Sequence, residues 1–386
     1  MTQPFRTRIG IIGGGQLGKM LVESALPWNV SFSILEASTD CPSYRYADKF
    51  IEGSLMDSAK IEQLAEYAEV LTYEIEHVNV TTLKKLEDQG KTVIPSSHIL
   101  AIIQDKGKQK SFYKDQNLHT SHFVLTNADE VRNIDFRAFG GERVVVKSCT
   151  GGYDGKGVAI LTKTDAAAGK AAEIFSGEVV VEEFIANAKE LSVIVARNQK
   201  GQIVTYPVVE MVFDETINLV DYLFVPSAMS DTIQMEATEL AKAAIEGLSG
   251  VGIFAVELFV DANDTCMINE IAPRPHNSGH QTIEANYTSQ YEQLMRIMLG
   301  LPLGSTKLIM PAVMTNILGS SDVVGEYQLD GITELAETEG AFLHWYNKSQ
   351  SKPGRKMGHF TVLDHDLNAA IEKSKHLKEK LKTTKA

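Results

Sequence analysis

Cysteine is nearly absent from this chain: Cys41, Cys149 and Cys266 are the only three in 386 residues, at no spacing that suits a metal. An odd, scattered set argues against a disulfide framework and fits a reducing compartment. Long apolar runs are missing as well. Arg6 and Arg8 flank the start of the apolar run Ile9–Ile12, but glycines break that run at once. It is too short for a signal peptide, and no later stretch is long enough to span a membrane. A cytoplasmic protein is expected. Positive charge is in deficit, with a formal net charge of -13. That argues against broad nucleic-acid binding, and anionic substrates would need local lysines, arginines or a metal. The basic tail Lys373–Lys385 reads as a solvated helical face, since Glu372 and Glu379 stand among its lysines.

What is present is a globular composition, 44% hydrophobic, at a length that suggests two or three domains. The first hundred residues alternate strand patterns (Arg8–Ile12, Ser31–Leu35, Val70–Tyr73) with helical ones (Gln16–Leu26, Ser58–Tyr67, Val80–Asp88). Such alternation predicts a parallel sheet with helices on both faces. A polar, Lys-rich helix, Asp105–Asn117, then leads into β-branched strands and a long helix, Thr232–Leu248. A proline-bearing stretch, Gly300–Gly304, reads as a boundary, and the last eighty residues as a small α+β cap. The expected fold is therefore mixed α/β and α+β.

Two glycine loops stand out. Gly13-Gly14-Gly15-Gln16-Leu17-Gly18 follows a strand and opens a helix, with Glu36 ending the next strand. The pattern satisfies a dinucleotide fingerprint, but it equally admits a substrate-facing anion loop or a tight structural turn. The second loop, Gly151-Gly152-Tyr153-Asp154-Gly155-Lys156-Gly157, lies between the strands Arg143–Lys147 and Val158–Thr162. A strand–loop–strand setting makes it a flap whose N–H groups can converge on phosphates, with Lys147 fixed in the sheet and Lys156 on the tip. A plain flexible hairpin is the alternative.

Further along, Glu257 interrupts the apolar strand Phe254–Val260, and the partner strand Thr265-Cys266-Met267-Ile268 ends in Asn269-Glu270. With Asp261–Asp264 as a four-residue loop, Glu257 falls opposite Ile268 and Glu270 becomes its diagonal neighbour on the same face, ~7–8 Å away at Cα. Mg²⁺ would turn their repulsion into attraction, with Asn269 offering a neutral oxygen. The run Pro273-Arg274-Pro275-His276-Asn277-Ser278-Gly279-His280 follows, dense in donors that suit an oxyanion. Lys348 and Pro353-Gly354-Arg355-Lys356-Met357-Gly358-His359 form a late basic cluster that suits a phosphate clamp.

These motifs, with Tyr73-Glu74-Ile75-Glu76, resemble the ATP-grasp superfamily, and within it the 5-(carboxyamino)imidazole ribonucleotide synthase family of purine biosynthesis; the likeness spans nearly the whole chain. The resemblance implies an N-terminal parallel-sheet pre-ATP-grasp domain (1–104), an ATP-grasp domain (105–304) and a small C-terminal domain (305–386). It places the first loop, with Gln16, on the substrate side and not on NAD. It implies ATP contacts from Lys147, the flap (Gly152, Tyr153, Asp154, Gly155, Lys156, Gly157), Glu182, Glu183, Phe184, Ile185, Glu190, Asn269 and Glu270. Outer ATP contacts would come from Lys106, Val158 and Glu210, where relatives often carry arginine, glutamine and histidine. Glu257 and Glu270 would hold Mg²⁺. Tyr153, Asp154, Lys156, Arg274, His276 and Lys348 would form the catalytic set. Gln16, Glu76, Asn277, Ser278, Lys348, Arg355 and Lys356 would meet the substrate.

The implied reaction joins bicarbonate to the amine of 5-aminoimidazole ribonucleotide through carboxyphosphate, in a homodimer without nucleic-acid or membrane partners. Competing readings are a formate-using glycinamide ribonucleotide transformylase, an NAD dehydrogenase and a catalytically silent nucleotide-binding module.

Overall fold

A computed structural model describes residues 4–152, 157–214 and 219–386. Its first body is a five-stranded parallel sheet in the order Lys49–Glu52, Ser31–Glu36, Arg8–Ile12, Val70–Tyr73, Thr92–Val93. Arg8–Ile12 is buried along most of its length, as a strand covered on both faces must be. The helix Ser58–Tyr67 covers the sheet because Ile61, Leu64 and Ala65 share one face, and Asp57 caps it by accepting from the N–H groups of Ala59 and Lys60.

Two further sheets build the middle of the molecule. One runs Phe123–Asn127, Glu178–Glu183, Arg143–Ser148, Val158–Thr162, and the flap joins its last two strands. The other is nine-stranded. From one edge it carries Cys266–Ala272, Gly252–Val260, Lys189–Arg197, Val209–Asp214 and Leu219–Val225. The helix Asp231–Gly247 backs one face of this sheet through Ile233, Ala237, Ala241, Ala244 and Ile245. Leu191, Val193, Val256 and Leu258 point to that helix. Alternation therefore sends Glu190, Ser192 and Glu257 to the other face.

The last eighty residues form a small C-terminal domain whose strands continue the middle sheet. The strand Ala312–Leu318 pairs directly with Leu219–Val225, and Lys356–Leu363 and Ala341–Trp345 extend the same sheet. Gly300–Gly304 reads as a boundary in sequence, yet the hydrogen-bonded ladder runs across it in space. Among the described residues no helix is long and apolar enough to cross a membrane.

Candidate active site

The first glycine loop is filled by the chain itself. The N–H of Gly14 donates to Glu36 Oε2 at 2.8 Å, the N–H of Gly18 to Glu74 Oε2 at 2.6 Å, and the N–H of Gly15 to Glu74 Oε1. Gly13 adopts φ +103°, and a Cβ there would lie 2.5 Å from Glu74 Cγ. The donors that a pyrophosphate would need are spent on two internal carboxylates, so the loop is a structural turn, and the dinucleotide reading fails. Gln16, just beyond, is half-buried at the start of its helix.

The two sheets meet at the acidic pair. Glu257 stands directly opposite Glu270, not diagonal to it, because a bulge after Glu257 lets Leu258 pair with Ile268 and leaves Asn269 as the extra residue. The acids still share a face, now as nearest cross-strand neighbours. Burial and the charge of Glu270 push the Glu257 carboxyl well above its usual range, whereas Lys106 and Lys147 hold Glu270 below it. The pair thus favours one shared proton over two charges. Lys106 Nζ lies 2.5 Å from Glu270 Oε2. The extra residue is used as well: Lys147 Nζ donates to Asn269 Oδ1 at 2.9 Å, tying the flap strand to the acidic strand.

Lys147 also lies 3.1 Å from Glu182 Oε1, and on the other side Lys110 Nζ lies 3.0 Å from Glu182 Oε2. Burial alone would raise Glu182, but Lys147 and Lys110 hold it at about 2. Lys110 carries no sequence signal: in a polar, lysine-rich helix it reads as solvated, and its partner is 72 residues away. Glu183 alternates to the opposite face, and Phe184 stacks under the Arg143 guanidinium at 4.3 Å. Ile185 follows the strand end, and Val158 pairs with Lys147 at the foot of the flap. Tyr153, Asp154, Gly155 and Lys156 lie outside the described residues.

Glu190 shares the face of the acids, and burial pushes it up from 4.5 to about 7, against the pull of Lys147. An unfolded glutamate ionises near the lower value, so this group stabilises the fold fully below it and loses that contribution as pH rises through about 7. Glu190→Gln is therefore expected to melt progressively higher than the unmodified protein between about pH 5 and about pH 8, as thermal scans across that range would report.

Glu210 is a correction. It pairs opposite Leu191, on the helix-backed face, where its carboxylate accepts from Ser227 Oγ at 3.3 Å and the N–H of Ala228 at 3.2 Å. A one-residue step along a strand reverses the side, and that step takes Glu210 away from the face that carries Glu190 and Glu257.

Beyond the acids, the N–H of Ser278 donates to His276 Nδ1 at 3.3 Å, which leaves the ring proton on Nε2, 3.4 Å from Glu257 Oε1. Burial lowers His276 to about 3, so the ring is neutral. Ser278 Oγ sits between His276 Nδ1 at 2.9 Å and Ser192 Oγ at 2.7 Å. Asn277 forms a reciprocal amide pair with Asn316, at 2.9 and 3.0 Å. Both Ser278 and Asn277 are thus committed inside the protein, against the expectation that they meet substrate.

Arg274 Nε lies 2.7 Å from Glu76 Oε1, a clasp between the second body and the first. From the C-terminal strands, the charge of Lys356 reaches both Glu257 and His276. Lys348 Nζ donates to the Lys356 carbonyl at 2.7 Å and Arg355 to that of Gln350 at 2.5 Å, so both brace the turn that presents Lys356.

Comparison with known proteins matches three families in order along the chain. They are the ribonucleotide synthetase preATP-grasp domain at 6–104, the ATP-grasp domain at 111–291, and the phosphoribosylaminoimidazole carboxylase C-terminal domain at 312–373. N5-carboxyaminoimidazole ribonucleotide synthase of Synechococcus elongatus is 36% identical over 355 residues, covering 92% of this chain and 89% of that one. The chain belongs to the N5-carboxyaminoimidazole ribonucleotide synthase family. Members of this ATP-grasp ligase family share its whole architecture. The crystal structure of the Thermotoga maritima synthetase is 42% identical, covers 98% of this chain and 100% of its own, and has a TM-score of 0.89. The Aspergillus clavatus synthase, in complex with ADP and 5-aminoimidazole ribonucleotide, is 29% identical over 98% of this chain and 99% of its own, with a TM-score of 0.88.

Proposed function

We propose that this chain carboxylates the exocyclic amine of 5-aminoimidazole ribonucleotide with bicarbonate, consuming ATP and releasing ADP, phosphate and 5-(carboxyamino)imidazole ribonucleotide. The observation that carries the reading is the convergence of Glu257, Glu270, Lys106 and Lys147 at the seam of two sheets, beneath the strands that bear the flap. The ligands named for the Aspergillus clavatus complex, ADP and 5-aminoimidazole ribonucleotide, support it.

The residues fit Mg²⁺. Two facing carboxylates, one driven toward holding a proton, make a site short of positive charge, and nucleotide oxygens would supply the remaining ligands. When bound there, the ion would neutralise phosphate oxygens and polarise the group in transfer. Glu257 and Glu270 would hold it, with Asn269 beside them.

Lys147 draws the phosphate chain toward the seam, and the strand end Glu183–Ile185 borders the base, whereas the Glu182 side chain is held between Lys110 and Lys147. Bicarbonate attacks the γ-phosphate to give carboxyphosphate, and the amine of the ribonucleotide then takes its carboxyl group. Arg274, held by Glu76, and Lys356 supply positive charge where the anions gather. His276, neutral with its proton on Nε2, donates toward the Glu257 side of the site.

The decisive assay measures ADP release with and without 5-aminoimidazole ribonucleotide and bicarbonate. Release that needs both is expected, and release that needs formate instead of bicarbonate sinks the reading.

A further inference from the structure

Lys110 and Lys147 share one carboxylate. Lys110, Glu182 and Lys147 are 3%, 2% and 9% exposed, so all three are charges taken out of water. Such groups persist only when paired and hydrogen-bonded. Lys110 is fully engaged: besides Glu182, its ammonium donates to Thr120 Oγ1 at 2.7 Å and Ser121 Oγ at 3.0 Å, and Ser121 Oγ in turn donates to Glu182 Oε2 at 2.8 Å. Lys147 is not engaged in the same way. It sits 3.1 Å from Glu182 Oε1, yet that oxygen accepts no hydrogen bond among the described residues, and the ammonium donates to the neutral Asn269 instead. Two ammoniums against one carboxylate leave the trio with one net positive charge. Lys110 and Lys147 line the same small cavity, with Lys106, Gln109, Glu182, Asn269 and Glu270, but the Lys110 ammonium is taken up by Glu182, Thr120 and Ser121, whereas that of Lys147 donates to Asn269.

We propose that Lys110 is a positioning residue for nucleotide phosphates. It neutralises Glu182 at Oε2, so that Lys147, which would otherwise be paired off by the same carboxylate, keeps its charge for the phosphate chain. The inference rests on Lys147 meeting the phosphates of ATP. Without Lys110, Glu182 and Lys147 become a neutral pair, and the carboxylate is free to turn both oxygens on the one lysine left. Phosphate binding then weakens while the base and ribose contacts stand.

The test compares two ligands that differ only in phosphates, adenosine and ADP, by calorimetry on the full chain. In Lys110→Met the affinity for ADP is expected to fall by at least ~10-fold, with adenosine changed by less than ~2-fold. Equal losses for both ligands would mean a merely structural role and overturn the proposal, as would no loss for either. The double variant Lys110→Met with Glu182→Gln removes one ammonium together with the carboxylate, so the trio keeps its one net positive charge on Lys147, and it covers the case in which the single variant does not fold. It is expected to bind ADP over adenosine with a preference within ~3-fold of the unmodified protein. A lost preference in the double variant would make Lys110 itself a phosphate contact and end the argument. Should the unmodified protein bind ADP no tighter than adenosine, it is the role of Lys147 that fails, which keeps the two failures apart.

Discussion

Glutamine in place of Glu270 is expected to cut ADP formation by on the order of 10²–10³-fold while adenosine binding persists. The substitution keeps the shape of the side chain and removes its charge. Glu270 faces Glu257 across the bulge, and it is the acid whose ionised form Lys106 and Lys147 favour. Once it is neutral, only Glu257 remains to attract a divalent ion, and burial already presses Glu257 toward its protonated form. Titration with Mn²⁺ followed by electron paramagnetic resonance gives a readout independent of turnover: binding should weaken together with activity. Full activity in this variant would remove the acidic pair from the reaction.

The second large effect is on stability. Glu182→Leu strips the partner from two buried ammoniums at once, and a fully broken buried pair costs about 3–5 kcal/mol. Burial already lowers Lys110 to about 8, and without the carboxylate it would fall further and shed its proton. Deprotonation limits the loss without cancelling it, because the amine still has only Thr120 and Ser121 as partners. Urea denaturation should show the midpoint moving down with little change in slope. A variant as stable as the unmodified protein would mean that the trio is solvated in solution.

Much of the fold was legible because it is written in short-range patterns. Arg8–Ile12, Ser58–Tyr67, Val70–Tyr73 and Val80–Asp88 fall where periodicity and caps place them. The acids at 257 and 270 were legible as a pair, since strand alternation fixes the face, but not as directly opposed, since nothing in Met267-Ile268-Asn269-Glu270 announces a bulge. Long-range satisfaction escaped altogether. The glycine loop invites an external anion until Glu74, some sixty residues on, is seen to fill it. Glu210 looked like a nucleotide contact because motif position carries no information about which side of the sheet a residue takes. Lys110 was invisible for the same reason in reverse: its helix is lysine-rich, and only folding decides which lysine is buried.

The ladder between Leu219–Val225 and Ala312–Leu318 limits how this protein can be divided. A fragment stopped near residue 304 would bare a row of unmet amides and carbonyls along Leu219–Val225, the kind of open margin that recruits other chains. The C-terminal portion therefore doubles as a guard strand. Any truncated form meant for nucleotide work needs a substitute there, or it will clump before it can be assayed.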